Sequence, residues 1–174
     1  ETAAEESLEQ VKVRWTRLNQ KNSNLKVFAE NNLSIIIQEI KDTKPTIAII
    51  DSIQAINNSD LESSSGSVSQ VRSCSSELQK FAKDNNIALL IIGHVTKDGS
   101  LAGPKTLEHL VDVVLNFEGD HIASHRLLRG IKNRFGATFE LGIFEMLENG
   151  LNEIKNPSSN FTNKENIAGL ATTI

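Results

Sequence analysis

The chain has 174 residues, 39% hydrophobic and 23% charged, with 18 basic against 22 acidic side chains, a balance and length suited to one globular domain and opposed to a uniformly basic nucleic-acid coat, though a local basic patch is still possible. No apolar run approaches the roughly 18 residues of a membrane span, and the acidic opening ETAAEES is unlike a signal peptide. The single cysteine, Cys74, excludes an internal disulfide and a thiolate zinc site, so a soluble, cytoplasmic domain with no membrane partner is expected.

In chain order, a helix is predicted over about 5–19, where Leu8, Val11, Trp15 and Leu18 recur at helical spacing behind acidic residues in the first turn. A helix so close to Glu1 predicts a chain that begins within a fold. LKVFA at 25–29 reads as a short strand. A second helix follows with Leu33, Ile36, Ile37 and Ile40 on one face and Asn32 as its cap. Pro45 then opens TIAIID at 46–51, apolar without alternation, as in a parallel strand covered on both faces. A Ser-rich loop at 52–67 leads into a long helix over about 67–86, with Val68, Val71, Leu78, Phe81 and Ala82 inward and Cys74 a small core or boundary residue. IALLIIG at 87–93 reads as a second fully buried strand, GHVTKDGSLAGPK at 93–105 as a Gly-containing loop, and Thr106–Leu110 as a short helical piece. Strand-like runs separated by short turns follow to about residue 154, the pattern of an antiparallel meander. Residues 156–174 are polar and read as a linker leading out of the domain. The order predicts an α/β three-layer core with a mostly parallel sheet and a C-terminal β meander.

Three stretches carry chemistry. IAIIDS at 47–52 places an acid, Asp51, at the C-terminal end of a buried strand, where ligands of open α/β sheets bind. There a carboxylate can hold Mg²⁺ beside a triphosphate, directly or through water; it can equally cap the following loop. In the second stretch, His94 leaves a buried strand and can sense a phosphate, while Gly99, Gly103, Lys97 and Lys105 suit a mobile loop on a nucleic-acid backbone. A solvated loop with an ordinary polar histidine satisfies the same residues. Third, KNRFG at 132–136 ends a segment with Arg126, Arg129, Lys132 and Arg134 and no acid from His121 to Phe139, which suits an anion or an edge strand protected by charge. A hydrolase triad of Ser52, His94 and Asp112 lacks the G-x-S-x-G elbow, and His109, His121 and His125 lack companion ligands at metal spacing.

Together IIDSIQ at 49–54, GSVSQVR at 66–72, GHVTKDGSLAGPKTLEH at 93–109, KNRFGA at 132–137 and NPSSNF at 156–161 resemble, in order and spacing, the bacterial RadA/Sms family of DNA-repair proteins, relatives of the RecA recombinase. The resemblance runs from Ala4 to about Phe161. It implies a RecA-like, DNA-dependent ATPase of recombinational repair that processes and branch-migrates recombination intermediates. Residues 1–155 would form part of the ATPase core, and residues 156–174 a linker with the first residues of a Lon-protease-like domain. It implies ATP and Mg²⁺ as cofactors, zinc only in an N-terminal module, and single-stranded DNA, a RecA-type recombinase and a homo-hexameric ring as partners. By position, Glu5, or Glu6 in its place, matches the acid that orients the attacking water. Asp51 matches the Walker B acid, with Ser52 beside it and His94 at the γ-phosphate sensor. Lys132 and Arg134 match a pair acting on a neighbour's ATP, and Lys97, Lys105 and Arg72 face DNA. The 174 residues contain no G-x-x-x-x-G-K-[ST] loop, whose backbone N–H groups and Lys would hold the phosphates. The resemblance therefore implies an inactive piece of the ATPase core. The alternatives are a non-hydrolysing DNA-binding or subunit-interaction module and another RecA-like hexameric ATPase.

Overall fold

The structure is a computed structural model that describes residues 2–3, 8–18, 24–94, 105–119 and 125–155. Its elements follow the order β1 (Thr2–Ala3), α1 (Leu8–Arg17), α2 (Leu33–Thr43), β2 (Ile47–Asp51), a 3-10 turn (Ile53–Ala55), α3 (Val68–Asp84), β3 (Ala88–Ile91), α4 (Lys105–Glu108), β4 (Val113–Gly119), β5 (His125–Asn133), β6 (Leu141–Leu147) and β7 (Gly150–Glu153). The first three strands form a parallel sheet in the order β1-β2-β3, and the last four an antiparallel meander in the order β4-β5-β6-β7. Among the described residues no helix is long and apolar enough to cross a membrane.

Local chemistry explains the boundaries. Asn32 accepts from the Ser34 and Ile35 backbone N–H groups at 3.0 and 3.3 Å, which starts α2. Glu30 accepts from the N–H groups of Asn32 and Asn31 just before it, and those bonds hold its carboxyl below the ordinary value. The helix stops at Lys44, whose N–H still donates to the Ile40 carbonyl while its left-handed backbone (φ 44°) turns the chain out of the helix. Ser67 caps α3 through the Gln70 N–H. The apolar stripes of α2 and α3 then close on one face of the parallel sheet, with Leu33, Ile36 and Ile40 meeting Ala48, Ile50, Val71, Cys74 and Leu78.

Several expectations are corrected. The parallel strands are not covered on both faces. Ala48 and Ile50 turn toward the helices, but Ile47 is 61% and Leu90 47% exposed, because α2 and α3 both lie on the same face and no described helix covers the other. Residues 25–29 form no strand; Phe28 is an isolated bridge residue, since an apolar run needs a neighbouring ladder to become one. Val68 is exposed, because it occupies the first turn of α3 beyond the layer that Val71, Cys74 and Leu78 fill. Trp15 is half-buried and lies outside the core cluster. Just past α1, Leu18 meets Gly150, where φ is +118° and an added Cβ would stand 2.8 Å from Leu18 Cδ2.

The Ser-rich stretch is tied down rather than loose. Gln70, fully buried on α3, accepts from the Asn58 N–H at 2.9 Å and donates toward Asn57 Oδ1 and the Asn58 and Ser63 carbonyls at 2.9–3.1 Å. The Asn58 amide in turn reaches Ser73 and Glu77. One side chain on α3 thus supplies the hydrogen bonds that a loop of this length cannot make within itself. Replacing Gln70 by Ala should strand these groups and cost about 1–3 kcal/mol in urea unfolding of the chain. Ser75→Ala should be neutral or stabilising in the same titration, because Ser75 Oγ is buried without a partner among the described residues.

Candidate functional site

The parallel sheet sets the geometry. β2 runs between β1 and β3, with Ala3 opposite Asp51 and Ile50 opposite Ile91, so all three strands present their carboxyl ends along one edge. Asp51 sits on that edge, half-buried, and no described side chain bonds its carboxylate. The Asp51–Ser52 peptide is cis. Ser52 is fully buried and begins the 3-10 turn, which carries Ile53 and Gln54 beneath the edge. His94 follows β3 on the same edge, and Gln54 bonds its backbone in both directions, Nε2 donating to the His94 carbonyl at 3.2 Å and Oε1 accepting from the His94 N–H at 3.4 Å. Asp51 and His94, chosen from the sequence, are therefore brought to one sheet edge. Glu5, Glu6 and Lys97 lie outside the described residues. Among the described residues no group of three or more His, Cys, Asp or Glu could hold a metal. The single Asp51 carboxylate fits Mg²⁺, which takes one or two protein carboxylates and fills its remaining sites with water and phosphate.

The basic strand is engaged within the chain. Lys132, on β5, donates through Nζ to the Glu108 and Val111 carbonyls at 2.5 and 2.8 Å, satisfying acceptors left at the end of α4. The Arg134 guanidinium meets Asp112 at 2.8 Å, both about half-exposed (54% and 49%), and its backbone N–H donates to the Asp112 carbonyl at 3.1 Å. From the other side the Gln79 amide donates to the Leu110 carbonyl. Residues 107–112 are thereby held between α3 and β5, and they join the two sheets. Phe135 and Phe139, which follow on the turn to β6, are exposed. Lys105 opens α4. Arg72 is exposed on α3 and shares a shallow surface hollow with Leu61, Val68, Ser69, Ser73, Ser76 and Glu77. The structure thus brings Asp51 and His94 together on one edge and sets Lys132 and Arg134 on the meander.

Sequence reasoning missed Gln54, Gln79 and Asp112 as partners of these groups. Gln54 carried a signal, an amide in an otherwise apolar stretch after Asp51; Gln79 and Asp112 carried none that separates them from surface residues. Cys74 is buried, and burial first, with the Glu77 carboxylate second, pushes its thiol up to about 11, which agrees with a core residue and opposes a nucleophile.

No protein-family model matches the chain. It is 49% identical over 191 residues to the DNA repair protein RadA of Synechocystis, covering 99% of this chain and 38% of that protein. Against the RadA of Listeria monocytogenes it is 52% identical over 159 residues (91% and 35%), and against that of Bacillus subtilis 50% over 169 residues (97% and 37%). The resemblance to RadA read from the motifs is therefore shown along nearly the whole chain, which spans a little over a third of the length of these relatives. Among solved structures, an ATPase domain superposes with a TM-score of 0.66 at 15% identity, covering 86% of this chain and 61% of that one. A KaiC-like protein of Pyrococcus horikoshii gives 0.65 at 15% identity (88% and 73%). The fold is RecA-like α/β, with a parallel sheet followed by an antiparallel one, as the order of elements predicts.

The contacts of Lys132 and Arg134 separate the two residues energetically. Lys132→Met should cost the chain about 1–2 kcal/mol, because two carbonyls lose a charged donor. Arg134→Ala should stay within about 0.5 kcal/mol, as half-exposed ion pairs do. Urea unfolding of the two variants checks this, and a larger loss at Arg134 would reverse the assignment.

Proposed function

We propose that this chain, a homologue of RadA over nearly its whole length, supplies the central part of a DNA-dependent ATPase of recombinational DNA repair. One observation carries the reading: a carboxylate at the carboxyl edge of a RecA-like parallel sheet, in a chain 49–52% identical to RadA across 91–99% of its residues. Residues 1–155 form part of the ATPase core in this reading. Residues 156–174 link it to a further domain.

The chemistry is attack of water on the γ-phosphate of ATP. Mg²⁺, when bound, neutralises charge on the β- and γ-phosphate oxygens. Asp51 holds it, and Glu5 orients the water. His94 lines the nucleotide side of the sheet edge, with Ser52 buried behind Asp51, and His94 passes the state of the γ-phosphate to the loop beyond it. Arg134 and Lys132 act on ATP bound by the neighbouring subunit of a ring. For Arg134, half-exposed and held by a single carboxylate, reaching a partner needs the loss of one surface ion pair, which costs little. Lys97, Lys105 and Arg72 contact the phosphates of single-stranded DNA and of recombination intermediates, and a RecA-type recombinase is the expected partner protein. The setting is cytoplasmic.

A second reading, favoured by the basic, acid-free segment from His121 to Phe139, gives these residues a DNA-binding or subunit-interaction role without hydrolysis. The two make different predictions. The isolated chain should bind ATP weakly and show no turnover above background, because Asp51 and Glu5 supply only part of a phosphate site; tight calorimetric binding would contradict this. A chimera in which this chain replaces the matching segment of Bacillus subtilis RadA should hydrolyse ATP. In it Arg134→Ala should spare nucleotide binding and reduce turnover by about 10³–10⁵, as loss of trans-acting arginines does. Mixed rings of Arg134→Ala and Asp51→Ala chimeras should recover activity at interfaces that join an intact Asp51 to a neighbour's intact Arg134. Co-assembled rings that stay inactive would refute action between subunits.

A further inference from the structure

The backbone ladder between β2 and β3 ends just before the sheet edge. Its last bonds run from the Ile92 N–H to the Ile50 carbonyl at 2.9 Å and from the Ile53 N–H to the Ile92 carbonyl at 3.0 Å. Beyond them β2 turns away into the 3-10 helix, and the chain after β3 has no backbone partner in β2. The Gln54 carboxamide takes over at that point. It accepts from the His94 N–H and donates to the His94 carbonyl, as the peptide group of a further strand residue would. The residue is 9% exposed, so water is a poor substitute. Gly93 lies directly beneath, where an added Cβ would stand 3.7 Å from Gln54 Nε2 and 3.7 Å from Leu107 Cδ1.

We infer that Gln54 is a positioning residue for ATP hydrolysis, setting the placement of His94 relative to Asp51 and so coupling the metal-holding strand end to His94. The assignment rests on the ATPase reading above. A purely cohesive role does not call for this residue. Ile50, Ile53, Ile56 and Leu78 already close the core beside it, so its part is to satisfy the His94 peptide groups, which an apolar side chain of equal length would leave without partners. What the amide adds is direction, since it matches one donor and one acceptor on a single residue. Its position, three residues after Asp51 and opposite the end of the adjacent parallel strand, puts that direction in the crevice where open α/β sheets bind ligands. Movement of the Asp51 edge during turnover is then transmitted to His94 through one side chain.

Two substitutions of nearly equal size separate the parts of the clamp. Gln54→Met removes both bonds, whereas Gln54→Glu keeps the acceptor and loses the donor. In the 174-residue chain, Gln54→Met should accelerate hydrogen exchange at the His94 amide by about tenfold or more and Gln54→Glu should not; an unchanged rate in Gln54→Met would overturn the clamp. In the RadA chimera, Gln54→Glu should lower kcat about tenfold while the KM for ATP stays within about twofold. Because Gln54 acts through His94, the double variant Gln54→Glu, His94→Ala should be no slower than the slower single variant, to within about twofold. Losses that multiply, or a normal kcat in Gln54→Glu, would overturn the positioning role and leave the ATPase reading intact. An unsubstituted chimera that assembles and binds ATP without turnover would overturn the ATPase reading, and this role with it.

Discussion

The parallel pairing of β2 with a strand on each side is the constraint on which the remaining geometry depends. β3 pairs with Ile47 to Ile50 and β1 with Ile50 and Asp51, so the carboxyl end of β2 is held in register from both sides. That end is then the best fixed point on the sheet, and Asp51 stands there. The alternation within β2 does the rest. Ala48 and Ile50 point into the layer formed by α2 and α3, and the same alternation leaves Ile47 facing away from it, across from exposed positions on β3. The carboxylate is therefore anchored by a strand whose apolar contacts lie on one side, and it emerges half-buried at the sheet edge.

From that edge the structure is extended by polar side chains that replace missing backbone partners. Gln54 does so between β2 and the residue after β3, and Gln70 does so between α3 and the Ser-rich stretch. Both are glutamines, whose amides donate and accept at once and reach far enough to bridge elements that cannot form a ladder. A buried amide is stabilising only when its partners are complete. Each glutamine consequently specifies one arrangement of the loop it binds, and the Ser-rich stretch is shaped by α3 more than by its own residues.

The junction at 107–112 has the same character. Its carbonyls are taken by Gln79 from α3 and by Lys132 from β5, and the Asp112 side chain and carbonyl are taken by Arg134. Among the described residues, hydrogen bonds at this connection attach the antiparallel meander to the parallel unit. The basic pair of the KNRFG motif divides its work accordingly. Lys132 commits its charge to backbone acceptors inside the chain, and Arg134, held by one exposed carboxylate, keeps a charge that another surface can compete for.

Much of this was legible in the sequence. The α2 stripe with its Asn32 cap, the strand ending in Asp51, the meander and the α/β class all follow from periodicity and from residues whose preferences act locally, and the motif order identified the RadA resemblance and, with it, the RecA-like fold it implies. Local rules do not report what lies across a sheet. The same unbroken apolar run at 46–51 suits a strand covered on both faces or on one, and tertiary structure placed α2 and α3 together on one side. Val68 and Trp15 carried core-like spacing, but their burial depended on how far a neighbouring layer reached them, and Val68 stays exposed while Trp15 is only half-buried. For the site, sequence alone identified Asp51 and His94 as types, while their meeting on one edge required the strand register and the Gln54 amide. Lys132 and Arg134 read as one cationic fork along the chain. Only the fold distinguished them, because contacts to Glu108, Val111 and Asp112 arise from residues more than 20 positions away, brought close by the turn of the meander.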